Sequence, residues 1–162
     1  MNELIKNIPT FMCHLAFVDD KRKVVIDNIL FSYIDKSNVH GFGLFSSEDI
    51  KCGTILGSLD GQIMDWNNYD ELSDYLKNIL GKYKNYFLME WNALNTKTLL
   101  VRPFRTKYSY INHSSKPNVE IKYNPIRIET IKNIKKCEEL FLDYDKEPLK
   151  EDYLNGHGKT FL

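Results

Sequence analysis

From residue 26 onward the apolar positions fall in short runs, with turn-forming residues between them. Runs at 29–34, 43–46, 54–59 and 62–64 are rich in isoleucine, leucine, phenylalanine and tyrosine, and Asp, Asn, Ser and Gly separate them. Such runs bounded by turn residues read as β-strands. Further strands are expected at 86–91, 99–102, 118–123, 127–131 and 140–143, and the pair flanking Asn124-Pro125 reads as a hairpin. One segment breaks the pattern. Tyr69, Leu72, Leu76, Ile79 and Leu80 recur near a 3.6-residue period, with Asp70, Glu71, Asp74 and Lys77 on the opposite face. This predicts a helix over 69–80, capped by Asn67 or Asn68, with acidic residues in its first turn and Gly81 at its end. In the first 25 residues a short helix is expected around Leu4, Ile5 and Ile8, closed by Pro9. The pattern predicts a mostly β chain with one inserted helix.

At 162 residues the chain fits one domain, since about 150 residues per domain is the usual prior. No internal repeat, low-complexity tract or linker divides it. Hydrophobic residues at 43% and charged residues at 27% are ordinary for a globular protein, and a chain this long buries enough surface to fold without disulfides or a structural metal. Twenty-two basic and twenty-two acidic residues cancel. This balance excludes a duplex wrapper that works by neutralising phosphates, so no direct nucleic-acid partner is expected; a partner with basic tails is compatible with it. Cys13, Cys52 and Cys137 are odd in number and lack CxxC spacing, which argues against a disulfide framework or a zinc site and predicts reduced, buried thiols and no metal. The apolar stretch 11–18 is interrupted by His14 and has neither the length of a membrane span nor the flanks of a signal peptide. The expectation is a soluble, intracellular chain without a membrane partner, cytoplasmic or nuclear or delivered into a host cell.

Hydrolytic chemistry finds no support. His14, His40, His113 and His157 have neither a G-x-S-x-G elbow nor an HExxH helix beside them. Asn112-His113-Ser114 matches a glycosylation sequon, read as coincidence in a chain without a secretory signal. His40-Gly41-Phe42-Gly43 lacks the third glycine and the following helix of a dinucleotide fingerprint. Its glycines mark a tight turn or a close approach of backbone to a ligand.

Three segments in order carry more than any one of them. His40 to Phe45 is followed by Tyr110-Ile111-Asn112-His113-Ser114-Ser115-Lys116-Pro117-Asn118, and then by Glu138-Glu139-Leu140-Phe141-Leu142-Asp143-Tyr144. A G-x-G, an N-H-S-x-x-P-N and an E-E-L-x-x-D-Y in this order resemble the motifs of the SET-domain lysine methyltransferases, over roughly residues 29–144. The resemblance implies small curled β-sheets around a C-terminal pseudoknot in which the closing segment threads under the N-H-S loop. It implies an N-terminal segment 1–25, a SET domain over 26–146 with a helical insert at about 67–81, and a tail over 147–162. It further implies a protein-lysine N-methyltransferase that takes its methyl group from S-adenosyl-L-methionine. His40, Gly41, Phe42, Gly43, Asn112 and His113 would contact that cofactor, and Tyr144 matches the catalytic tyrosine at the methyl-transfer pore. Leu59, Tyr110 and Leu142 would border the substrate channel, and Glu139 matches a structural position. The partner implied is a protein bearing a target lysine, a histone tail being one candidate.

The chain also departs from the family pattern. Leu59 stands where many members carry a second channel tyrosine, and Leu142 stands at the position that often tunes product state. Ser115 and a tail without cysteine exclude the zinc cluster of many nuclear members, leaving Tyr153 or Phe161 to supply a closing aromatic. Leu59 keeps a second reading open, a catalytically silent domain of the same fold that binds a protein or peptide. The target lysine, the number of methyl groups and the oligomeric state are not legible in the residues.

Overall fold

The computed structural model describes residues 15–18, 23–82 and 89–156. Short strands cannot build one broad sheet, and the described residues form several small ones. Strands β1 (Leu15–Val18) and β2 (Lys23–Ile26) pair antiparallel, as do β3 (Ser32–Lys36) and β4 (Phe42–Ser46). A three-stranded sheet has the order β10 (Val119–Lys122), β11 (Arg127–Thr130), β5 (Ile55–Ser58). Another has the order β6 (Gln62–Asp65), β8 (Thr98–Arg102), β7 (Glu90–Ala93). The last pair, β9 (Asn112–His113) and β12 (Phe141–Leu142), is parallel. None of these sheets closes into a barrel.

Several expectations shift by a few residues. The first run gives β3 only from Ser32; Ile29 is buried ahead of the strand, and Phe31 turns the chain at φ 54. The strand expected at 86–91 is β7, starting at Glu90; residues 83–88 lie outside those described. The 118–131 hairpin forms as read, around a cis Asn124-Pro125 bond. In the leader the described residues are a hairpin, β1 with β2, whose Val25 is fully buried in the main core. The helix expected around Leu4 to Ile8 lies outside the described residues.

The inserted helix α1 runs from Trp66 to Leu80. Its cap is Asp65, not an asparagine: the Asp65 carboxylate accepts from the Asn68 amide at 2.8 Å and from Asn68 Nδ2 at 2.6 Å. One carboxylate at the end of β6 satisfies an orphan N–H and faces the positive end of the helix dipole, so the first turn needs no further acid and has none. Gly81, at φ 51, ends the helix as expected, its N–H bonding to the Lys77 carbonyl. Of the apolar stripe, Ile79 is exposed, whereas Trp66 is buried.

Among the described residues the apolar side chains gather in two clusters. The larger gathers Ile29, Leu44, Leu56, Ile111, Val119, Ile128 and Leu140. The smaller joins Trp66, Ala93, Leu99 and Val101 to Trp91 and Tyr153. Tyr153, on the short helix α2 (Glu151–Asn155), packs with its ring centroid 5.7 Å from Trp66 and 5.2 Å from Trp91. Lys150, ahead of it, lies 4.3 Å from the Trp66 ring and 3.3 Å from Asp70. Tyr153 is therefore a packing residue between the tail and α1; Phe161 lies outside the described residues. Cys52 and Cys137 are exposed, against the expectation of buried thiols, because both sit in turns, Cys137 at φ 65. Cys13 is outside the described residues. Among the described residues no helix is long and apolar enough to cross a membrane.

The closing segment is the feature that positions the site. Leu140 N–H donates to the Leu44 carbonyl at 2.7 Å on one side. On the other, β12 lies along β9, and the Ser114 amide donates to the Leu142 carbonyl at 2.8 Å. Asn118 fastens the crossing: its Oδ1 accepts from the Phe141 amide and its Nδ2 donates to the Glu139 carbonyl, both at 2.8 Å. The side chain is buried, so each of these bonds replaces water that cannot reach it. The segment thus lies between β4 and the 112–118 loop, the pseudoknot that the resemblance implied.

Candidate active site

The three motifs meet around one carboxylate. Glu139 Oε1 accepts from Asn112 Nδ2 at 2.8 Å, and Oε2 accepts from Ser37 Oγ at 3.1 Å. The same Asn112 Nδ2 lies 3.4 Å from the His40 carbonyl and 3.3 Å from that of Phe42. A Cβ at Gly43 would sit on the Glu139 carboxylate, so this glycine is needed for close packing between motifs. Gly41 differs. Its φ is 51, and a Cβ there would meet nothing within 4 Å, which leaves its backbone open between the His40 and Phe42 carbonyls that Asn112 reaches.

Tyr144 follows β12 and turns back onto β9. Its hydroxyl donates to the Ile111 carbonyl at 2.5 Å and its amide donates to His113 Nδ1 at 3.1 Å. With Nδ1 accepting, the neutral imidazole carries its proton on Nε2. The two rings lie 5.3 Å apart. Burial pushes the Tyr144 phenol up to about 12, with smaller contributions from Glu147 and Tyr153. It is therefore a proton-bearing donor at neutral pH. Burial also holds Tyr108 well above the ordinary phenol range, assisted by Glu147, Tyr144 and Glu90.

Leu59, Tyr110 and Leu142 all sit in the main core. Leu59 is fixed by its amide bond to the Ile126 carbonyl at 3.1 Å. The Arg105 guanidinium lies 5.6 Å from the Tyr110 ring. Leu142 also faces a groove, which Ile121, Tyr123, Asp143, Lys146 and Glu147 help to line. Burial raises the Glu147 carboxyl to about 7, partly offset by a hydrogen bond from Tyr123. His113, Asp143 and Asp145 offer metal-ligand atoms within 4.8 Å of one another. Two of these groups are already engaged, however, His113 Nδ1 by the Tyr144 amide and Asp143 by Lys146 at 3.5 Å.

Behind the N-H-S loop lies a polar network that the sequence did not announce. Glu90 accepts from Arg102 Nε at 2.8 Å, from the Thr106 amide at 3.0 Å and from Thr106 Oγ1 at 2.6 Å, and also from Ser109 Oγ. Arg102 donates further to the Asp60 carbonyl at 2.8 Å and to Asn92. Lys107, also buried, pairs with Asp27 and the Ser32 carbonyl, each at 2.6 Å. Buried charges persist only when paired and hydrogen-bonded in this way. Together they fix the 3-10 turn Lys107–Tyr110 that delivers Ile111 to Ser114.

A family model described as "SET domain" matches residues 41–145. The chain belongs to the SET-domain family. Over 129 residues it is 27% identical to the histone-lysine N-methyltransferase MEDEA of Arabidopsis thaliana, a match covering 76% of this chain and 18% of that protein. The chain thus spans under a fifth of that relative's length. SET-domain proteins are generally protein-lysine methyltransferases that use S-adenosylmethionine, and two of the three motifs, His40–Phe45 and 138–144, meet the third at Asn112.

Proposed function

We propose that this SET domain transfers methyl groups from S-adenosyl-L-methionine to the side-chain nitrogen of a lysine in a protein substrate, with Tyr144 as the catalytic tyrosine. The observation that carries this reading is the joining of the motifs: Asn112 and Glu139 tie the His40–Gly43 turn to the strand that presents Tyr144. His40, Gly41, Phe42, Gly43, Asn112 and His113 would hold the cofactor. The bare backbone at Gly41, open where a side chain would otherwise stand, fits a group lying along the main chain. When bound, the cofactor supplies an already activated methyl group, and the protein supplies alignment.

The chain's own residues have two tasks. Leu59, Tyr110 and Leu142, packed in the main core, would back the channel with surroundings of low polarity, which disfavour a charged ammonium and lower the lysine pKa toward the neutral nucleophile. Tyr144, protonated because burial holds it at about 12, orients by hydrogen bonding and does not take the proton itself. Alignment of this kind is worth on the order of 7–11 kcal/mol of barrier at best. The substrate class is a protein with an accessible lysine, a histone tail being the first to try.

The test is incorporation of labelled methyl from S-adenosylmethionine into a panel of histone and non-histone proteins, with cofactor titration alongside. Tyr144→Phe is expected to keep fold and cofactor affinity and to lose turnover by orders of magnitude. Folded protein that binds neither the cofactor nor its demethylated product would overturn the reading.

A further inference from the structure

Asp27 follows β2 and precedes the residues that the family model matches. Its carboxylate reaches Lys107 Nζ at 2.6 Å, on the first residue of the 3-10 turn Lys107–Tyr110. The same ammonium donates to the Ser32 carbonyl at 2.6 Å. Lys107 is only 4% exposed, and among the described residues Asp27 is the one carboxylate paired with it. The backbone takes the same route: the Ile26 amide donates to the Arg105 carbonyl at 3.1 Å, and Val25 is fully buried in the main core. Beyond the turn, the Ile111 amide donates to the Tyr108 carbonyl at 3.0 Å, and the Ile111 carbonyl accepts the Tyr144 hydroxyl at 2.5 Å. An unbroken run of ion pair, turn and hydrogen bond thus joins Asp27 to Tyr144.

We propose that Asp27 is a positioning residue for Tyr144: through Lys107 it fixes the rotation of the 107–110 turn, and with it the carbonyl that holds the Tyr144 hydroxyl. The proposal rests on the methyltransferase reading for its effect on rate, and on the geometry alone for the coupling. Glu90 grips the turn through Thr106 and Ser109. With three residues per revolution, those two share one face, and Lys107 is rotated from them by about 120°. A grip on one face leaves the turn free to roll about its axis; the second grip, by Asp27, stops it. Without the Asp27 charge a buried ammonium would keep only the Ser32 carbonyl, and a buried cation stripped of its counter-ion is costly enough to move the turn that carries it. Alignment is sensitive to such movement, since a misplacement of about 1 Å that originates far from the chemistry costs about a hundredfold in rate. The Asp27 side chain is 37% exposed, so a glutamate has room there to reach the same ammonium.

The test uses the full chain with carbon-13 at tyrosine Cζ, the Tyr144 resonance being the one lost in Tyr144→Phe. Asp27→Asn is expected to move that resonance and to lower kcat for methyl transfer about tenfold to a hundredfold, with S-adenosylmethionine affinity unchanged. Asp27→Glu should restore both. Asp74→Asn, which breaks an exposed aspartate–lysine pair on α1, should alter neither. In a Lys107→Met background no buried ammonium needs a partner, so adding Asp27→Asn should leave both readouts where Lys107→Met put them. This comparison also carries the test where Asp27→Asn alone does not fold. An unmoved Tyr144 resonance or an unchanged kcat in Asp27→Asn, a failure of Asp27→Glu to restore them, or a further change on adding Asp27→Asn to Lys107→Met would each overturn the proposal. A parent chain that transfers no methyl group to any protein would sink the methyltransferase reading, and the Tyr144 resonance would still decide the coupling.

Discussion

Glu147→Gln is expected to stabilise the protein, and only above a definite pH. In the fold the carboxyl is held at about 7 against an ordinary 4.5. At about 1.4 kcal/mol per pKa unit, that difference corresponds to about 3 kcal/mol of differential interaction. The side chain keeps partial contact with water, so screening reduces the expected effect to about 2 kcal/mol. A carboxyl whose folded pKa is raised favours the native state fully below its unfolded pKa, and that favour is lost as pH rises through the folded value. Below pH 4.5 the native and unfolded chains both hold the proton, and the variant should match the parent. Between 4.5 and 7 only the native state holds it, and the parent loses stability progressively. Above 7 the parent carries the whole cost of a buried carboxylate, and the glutamine, which can still accept from Tyr123, carries none.

Urea unfolding of parent and variant at pH 4.5, 6 and 8.5 measures this directly. Glu120 and Asp143, the other groove carboxylates, are paired with Lys122 and Lys146 in both proteins and drop out of the difference. A stability gap independent of pH, or a variant less stable at pH 8.5, would refute the reasoning.

Gly43→Ala should displace the Glu139 carboxylate and break its bonds to Asn112 and Ser37, costing about 3 kcal/mol. Urea unfolding of a Gly43→Ala/Glu139→Ala cycle should therefore be non-additive, and strict additivity would show that the two do not meet. Asn118→Ala removes the bonds to Phe141 N–H and the Glu139 carbonyl from a buried site, for a loss of about 2–4 kcal/mol. Hydrogen exchange at the Phe141 amide should rise in step. Asp65→Ala should cost about 1 kcal/mol and accelerate exchange at the Asn68 amide; slow exchange there would mean that another group caps α1.

The short apolar runs and the one helical period foretold most of the strands from β3 onward and α1, because both signals are local. What escaped was settled by contacts distant in sequence. The helix begins at Trp66 and not at Tyr69, because Asp65, the last residue of β6, is carried to the point where it can cap. β12 falls within the run expected at 140–143, but its partner β9 is only two residues long, too short for a run to register, and pairs with it in parallel where Asn118 and Ser114 fasten the crossing. The Glu90 and Arg102 pair is equally invisible in a linear chain. In the sequence these are two charges at the margins of apolar runs; in the fold they become a buried ion pair at 2.8 Å.

The motifs were legible for a physical reason that the structure supplies. Gly43, Asn112 and Glu139 occupy one small volume, in which the absent Cβ, the amide and the carboxylate each require the other two. Residues under mutual constraint are the ones a motif records. Glu147 stands three residues beyond the last motif, among Asp145, Lys146 and Pro148, and nothing in that string separates it from a solvated charge. Its distinction arises only when the fold buries it beside Tyr123, which follows β10. The coupled motifs hold Tyr144 in place because the fold fixes each of them against the others, whereas the raised carboxyl of Glu147 comes from burial alone, which no motif records.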